Sequence, residues 1–377
     1  MMAGLYVHIP FCKSRCIYCD FYSTTHLEWR DGYVESLIRE MDQRRNDWHY
    51  DTLYIGGGTP SQLTHSQLSS LVSRLYSTFD IDKDAEFTIE MNPDDVASRL
   101  DEGMVRRSDD RTTINRVSLG IQTFDDQRLQ FLHRRHNAET ARQAVRRLQD
   151  NGIRNISIDL MFGFPGETLD DWRRDIDEAL ALGVQHISAY SLMYEKGTQL
   201  TSMMEKGEIT EIDEEGAVAM YCELCERLIS AGYEHYEISN FARPGFRSRH
   251  NSNYWNATPY LGLGAGAHSF EGNVRSWNGT MTCGGHYSKA GEEHLSDTDR
   301  YNEMIMTRLR TTEGIDLGEV EQKFGKSVLE HLLNSIIFHE QKGNIIHQNT
   351  SVALPMGVFG NFDKVFISNQ VMVDLMI

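Results

Sequence analysis

The amino-acid sequence predicts an α/β fold, a parallel sheet with crossover helices followed by a small α+β domain. Three observations predict it. Short β-branched or aromatic runs recur at Leu5–Pro10, Thr52–Ile55, Phe87–Met91, Arg116–Ile121, Asn155–Leu160 and His186–Leu192, beginning about 30 to 47 residues apart. Helical patterns fill the intervals. After about Ala290 the alternation stops and helices dominate. Six strand–helix units in series require right-handed parallel crossovers. A full (βα)8 barrel needs two more, so the units specify an incomplete barrel, open on one side, or a doubly wound sheet.

The elements follow in order. Tyr33, Val34, Leu37, Ile38 and Met41 repeat at helical spacing behind Asp31 as N-cap. Thr64 and Gln67 form a capping box ahead of Leu68, Leu71, Val72 and Leu75. Gly152 stops the helix before the fifth strand; Thr168 caps the next, which carries Trp172, Ile176 and Leu180 and stops at Gly183. From Tyr233 the chain turns rich in aromatics, Gly and Asn, too apolar for a linker and too irregular for helices. Helices are expected over Thr298–Thr311, Asp316–Phe324 and Leu329–Glu340. A hairpin-like stretch then runs from Gly343 to Asn369, giving the last part a winged-helix-like texture. The expected parts are 1–232, 233–289 and 290–377.

The apolar content of 40% supports a core, and the formal charge of −18 repels nucleic acid and anionic membranes. The basic stretch Arg243–Arg249 is the local exception; at most a peripheral membrane contact is expected. Mean hydropathy is −0.47, no apolar run has the length of a membrane span, and "MMAGLYVHIPFCK" lacks the features of a signal peptide. A cytoplasmic chain is expected. There, clustered cysteines suggest metal or redox chemistry rather than disulfides.

The expected strands carry Cys12, Gly56–Gly58, Glu90, Gln122 and Asp159 at their C-terminal ends. In parallel α/β folds that edge forms the active site. Cys12, Cys16 and Cys19 are spaced Cys-x3-Cys-x2-Cys. Three thiolates on a [4Fe–4S] cube leave one iron open to a small molecule; a zinc site completed by His8 is the alternative. "GGGTP", Gly56 to Pro60, lets a ligand approach the backbone. Cys222 and Cys225 fall on the core face of a helix, and Cys283 stands alone.

With "LYVHIPFCKSRCIYC", "IGGGTP", "IEMNPDD", "VSLGIQTFDDQRLQFLHRRH" and "ISIDLMFGFPGET", the chain resembles the radical S-adenosylmethionine (SAM) superfamily. Within it, the chain is similar to the oxygen-independent coproporphyrinogen III oxidases (HemN) and the related HemW heme chaperones. The resemblance implies an incomplete (βα)6 barrel and a [4Fe–4S] cluster on Cys12, Cys16 and Cys19, whose open iron chelates SAM. By motif position, Tyr6, Gly57 and Glu90 carry over as SAM contacts. Gln122, Arg134 and Asp159, with Tyr18, Gly58 and Thr59, match a second SAM subsite of the oxidase branch; each could instead be an ordinary strand-end or helix-face residue.

Two departures separate the branches. The oxidase branch carries a fourth cysteine where this chain has Phe21, and a longer segment before its cysteines, of which eleven residues stand here. "HNSNYW", His250 to Trp255, matches the HNxxYW motif of the HemW branch. The resemblance therefore implies a heme chaperone without coproporphyrinogen oxidase activity, working with a heme-accepting protein and an electron donor; a homodimer is compatible with it. The oxidase is the alternative. Heme needs aromatic walls, an axial ligand and cations for its propionates. Tyr254 and Trp255 can supply the walls, His250 the ligand, and Arg247 or Arg249 the cation; His268 and His331 are alternative ligands.

Overall fold

The computed structural model describes residues 2–101, 114–357, 361–366 and 368–377. In chain order it begins with β1 (Met2–Ile9), α1 (Arg30–Gln43), β2 (His49–Gly57), α2 (His65–Thr78), β3 (Asp80–Met91) and α3 (Pro93–Asp101). Then come β4 (Arg116–Gln122), α4 (Asp126–Phe131), α5 (Ala138–Asp150), β5 (Asn155–Phe162), α6 (Leu169–Ala181) and β6 (His186–Ser191). These six strands pair in parallel in chain order. The expected strands all form, β1 to β5 longer than predicted and β6 one residue shorter.

The arc stays open, because β1 and β6 each take a different neighbour. After α7 (Gln199–Glu205) and α8 (Glu214–Ser230), the hairpin of β7 (Glu234–Glu237) and β8 (Asn240–Ala242) joins β6 antiparallel. On the other flank, beyond α9 (Arg249–Trp255), β9 (Tyr260–Leu263) joins β1 in parallel. β10 (His268–Glu271), β11 (Val274–Asn278) and β12 (Lys289–His294) continue the sheet outward. Among the described residues this sheet has twelve strands. The aromatic-rich stretch is thus more regular than the sequence predicts. Its strands are too short to alternate visibly, and a two-turn helix fits because Ser248 accepts a hydrogen bond from the Asn251 amide.

The C-terminal part contains α10 (Asp297–Arg308), β13 (Ile315–Asp316), α11 (Leu317–Phe324), α12 (Lys326–Gln341), β14 (Ile346–Gln348) and β15 (Ser351–Ala353). It ends with α13 (Phe362–Phe366) and α14 (Ser368–Leu375). The expected hairpin forms as β14–β15, but the chain then turns helical; residues 358–360 and 367 of that stretch lie outside the described residues.

Local signals explain the boundaries. Thr64 with Gln67, and Thr168 with Asp171, form capping boxes. Gly152 and Gly183 have positive φ where their helices end. Asp31, expected as a cap, lies instead in the first turn of α1, where its charge favours the positive end of the helix dipole.

The six strands divide their two faces by chemistry. Leu5, Val7, Leu53, Ile55, Phe87, Ile89, Val117, Leu119, Ile156, Ile158 and Ile187 are buried in one cluster with Leu37, Leu71, Val145, Ile176 and other helix residues. The alternate positions are polar and point inside the arc: Thr52 and Tyr54, Thr88 and Glu90, Arg116 and Ser118, Ser157 and Asp159, Ser188 and Tyr190. The apolar face holds the fold together; the polar face builds a site.

Candidate functional site

A cavity of about 590 Å³ opens at the C-terminal ends of the strands. Cys12, Cys16 and Cys19 line it from the loop after β1 and are each half-buried. Thr59 Oγ1 lies 3.6 Å from Cys12 Sγ, and the Arg134 guanidinium 3.5 Å from Cys16 Sγ. Arg134 is itself held by Asn92 Oδ1 at 2.8 Å and by the Gly120 carbonyl. Burial pushes the Cys12 and Cys19 thiols up, so a cation or metal is needed to stabilise their thiolates. A zinc site completed by His8 does not match the geometry. His8 Nδ1 meets the Tyr6 hydroxyl at 2.9 Å and Nε2 the Tyr22 carbonyl at 3.1 Å, so both nitrogens are engaged. Among the described residues no three His, Cys, Asp or Glu side chains gather closely enough for one ion. Three thiols spread along a loop suit a cluster, which separates its ligands more widely than a single ion does.

The glycine turn closes one side. Gly57 has φ +108°, and a Cβ there would fall 2.4 Å from the His8 ring. At Gly58 a Cβ would fall 2.8 Å from the Pro10 carbonyl carbon. The Gly57 amide donates to Glu90 Oε2 at 3.0 Å, and the Tyr54 hydroxyl to Glu90 Oε1 at 2.6 Å. Burial raises Glu90 to about 7 against these two bonds, which favour the anion. Burial likewise raises Asp159 to about 6, opposed by Ser188 and by the Arg116 charge. Both carboxyls line the cavity. Gln122 closes β4 in the left-handed region, φ 73°, an uncommon conformation for a residue with a Cβ. Arg116 Nε and His136 Nδ1, buried on residues that line the cavity, have no hydrogen-bond partner among the described residues. With His136 Nε2 donating to the Ile121 carbonyl at 3.1 Å, its Nδ1 is an acceptor, so an orphaned donor on Arg116 and an orphaned acceptor on His136 both fit a polar ligand.

The structure brings together Cys12, Cys16, Cys19, Tyr18, Gly57, Gly58, Thr59, Glu90, Gln122, Arg134 and Asp159 around this cavity. Tyr6 stands one layer behind, its ring 6.1 Å from Tyr54 and 6.4 Å from His250. Sequence reasoning missed Tyr54, Arg116, Ser118, Ser157 and Ser188. The signal was present: "RVSLGIQ" and "NISIDL" alternate polar and apolar residues, marking a polar inner face.

The HNxxYW helix does not present its histidine to this cavity. His250 is 2% exposed. Nδ1 meets Thr52 Oγ1 at 2.9 Å, Nε2 meets the Tyr254 hydroxyl at 3.0 Å, and the ring stacks 5.0 Å from Tyr54. Burial pushes it down to about 3, so it is neutral. Neither nitrogen is free to ligate iron in this arrangement. Arg247 pairs with Glu234 and Glu313, and Arg249 with Asp51, and neither of these expected propionate partners lines the cysteine cavity. Trp255 packs under Arg310. His268 is exposed and stacks on Trp277; His331 Nε2 meets the Met376 carbonyl at 3.3 Å. Cys225 is buried and Cys222 half-buried on α8, in keeping with packing.

Comparison with known proteins adds the family. The model of the radical SAM superfamily matches residues 6–179, and that of the HemN C-terminal domain residues 295–355. A protein of Lactococcus lactis named heme chaperone HemW is 34% identical over 95% of this chain and 96% of its own length. One of the same name from Bacillus subtilis is 33% identical over 93% and 94%. The solved structure of Escherichia coli coproporphyrinogen III oxidase (HemN), described as a radical SAM enzyme, matches with a TM-score of 0.80, covering 99% of this chain and 90% of that one. At 20% identity that likeness establishes the shared fold.

Proposed function

This chain belongs to the HemW family of the radical SAM superfamily, and from that premise we propose that it is a heme chaperone, taking up heme and passing it to an acceptor protein. The observation that carries the cofactor part is a cavity rim with three thiols and no fourth cysteine. Cys12, Cys16 and Cys19 would hold a [4Fe–4S] cluster with one iron left for SAM. When bound, the pair supplies one-electron chemistry, fed by an external electron donor.

The chain's own residues bind and orient. The turn at Gly57 and Gly58, free of side chains because His8 and Pro10 pack against it, presents backbone to the cavity, with Thr59 and Tyr18 beside it. Glu90, half-ionised near pH 7 at its raised value, can face an ammonium group as an anion or donate one proton as an acid. Gln122, Arg134 and Asp159 complete the polar wall, Arg134 also steadying Cys16, and Tyr6 braces Tyr54 and His250 from behind. Heme is the cargo, and the helix of His250 to Trp255 is the element that we assign to it. We treat 1–232, 233–289 and 290–377 as the cofactor, cargo and C-terminal parts. Among the described residues no helix is long and apolar enough to cross a membrane; a cytoplasmic site of action belongs to the same proposal.

The test is anaerobic reconstitution followed by transfer. About four iron and four sulfide per chain are expected, with a reduced-cluster EPR signal that SAM perturbs and hemin passing to an apo-cytochrome. Stoichiometric zinc without iron would refute the cluster. Phe21, 68% exposed at the cavity mouth, occupies the position of the oxidase branch's extra thiol. A vinyl product from coproporphyrinogen III would establish the oxidase reading instead.

A further inference from the structure

α9 separates two cavities. Its Asn251 lines the cysteine cavity, and its Tyr254 lines a second cavity of about 430 Å³ between α9, β9–β10 and α10–α11. The second cavity has aromatic walls. Tyr254 and Tyr260 meet edge to face at 4.8 Å, Phe270 continues the row 6.3 Å from Tyr260, and Phe324 closes the opposite side. Met304 supplies a buried thioether.

Its rim is charged. Arg275, Arg300, Arg308 and Lys323 line it together with Glu303 and Glu319. Arg308 and Lys323 both pair with Glu319, at 3.2 and 2.7 Å, so two cations share one carboxylate. Arg275 pairs with Glu293 and Glu303, and Arg300 with Asp297 at 3.0 Å. All four cations are paired, but only Glu303 and Glu319 of their carboxylate partners line the cavity, while Glu293 and Asp297 lie outside it. The lining therefore keeps an excess of positive charge beside the aromatic walls, which suits a flat, apolar ligand bearing carboxylates.

Resting on the chaperone reading above, we propose that this second cavity, rather than the surroundings of His250, is where the tetrapyrrole dicarboxylate docks. The macrocycle lies against Tyr254, Tyr260 and Phe270, and its carboxylates meet the Arg300 and Lys323 side of the rim. His250 is then a positioning residue: its Nε2 bond to the Tyr254 hydroxyl fixes the one aromatic ring of the HNSNYW helix that faces the ligand.

The test titrates the full-length, cluster-loaded protein with hemin and, separately, with metal-free protoporphyrin IX. Arg300→Glu combined with Lys323→Glu alters rim side chains that are 34% and 43% exposed, so the fold carries little of the change. The double variant should weaken both ligands at least about tenfold, with iron and sulfide content unchanged. Its loss should shrink at high salt, because the pairs being tested are screened. Tyr260→Leu should weaken both without altering the salt dependence. Wild-type affinity for hemin in both variants would overturn the cavity assignment while leaving the chaperone reading standing. Failure of the wild type to bind either ligand would overturn the chaperone reading itself. Hemin binding without protoporphyrin IX binding would also overturn the assignment, since iron ligation alone would then account for affinity.

Discussion

Replacing Glu90 by Gln should change how the stability of the cluster-free protein depends on pH. The carboxyl is raised from 4.5 to about 7, chiefly by burial. The folded state therefore binds this proton more tightly than the unfolded chain does. The sign follows: the penalty is absent below the unfolded value and grows as pH rises through the folded one. At about 1.4 kcal/mol per pH unit, the penalty grows by about 2.5 kcal/mol between pH 5 and pH 8, with water in the cavity trimming it. Neutral buried histidines work oppositely. His8, held at about 4, and His136 and His250, at about 3, add stability as pH rises toward the unfolded histidine range. The difference between wild type and Glu90→Gln isolates the carboxyl from these. The amide can keep both contacts, its oxygen accepting from the Gly57 N–H and its NH2 donating to the Tyr54 hydroxyl, so the pH-independent cost is at most about 1 kcal/mol. Urea denaturation at pH 5, 6, 7 and 8 measures both. A variant-minus-wild-type difference that stays flat across the series would refute the claim that Glu90 titrates near neutrality.

Two further substitutions separate site from scaffold. Gly57→Ala puts a Cβ at positive φ against the His8 ring, which its two hydrogen bonds hold in place; a loss of about 2 kcal/mol or more is expected, with cluster iron retained and the SAM-induced EPR change lost, and a wild-type melting temperature and EPR response would reject this. Arg310→Ala leaves Glu237, which is 0% exposed, without the cation that contacts it at 2.7 and 3.0 Å; thermal and urea denaturation should register a loss of about 3 kcal/mol, largely relieved by adding Glu237→Gln, and no relief would mean that the arginine acts through packing.

The strands and the cysteine loop were legible because hydrophobic period and residue spacing are local properties. Thr64 and Thr168 announced their helices in the same way, through contacts three residues away. Partners distant in sequence were not legible. His250 read as a free ligand because nothing near it in the chain reveals Thr52, 198 residues away, as its partner. Arg247 and Arg249 read as free cations for the same reason: Glu313 and Asp51 come from other elements. The second cavity draws on α9, β9, β10, α10 and α11, and only their packing creates it. The inner polar layer at Arg116, Ser118 and Ser157 is written in the sequence as alternation within the strands, away from the strand ends where parallel folds place their active sites.

An open arc has two free borders, and each is a row of unsatisfied backbone donors and acceptors that could recruit another chain. β7 is short, and Glu237 at its end bridges to Thr311. β12 is the longer hazard, six residues with no strand paired on its outer side among the described residues. Its sequence, "KAGEEH", exposes Lys289, Glu292, Glu293 and His294 and offers no large apolar side chain. A neighbouring molecule adding a strand there would have to strip water from these charges and meet the same charges on its own border. The charged, solvent-facing composition of β12 thus opposes strand addition at this border of a sheet that does not close into a barrel.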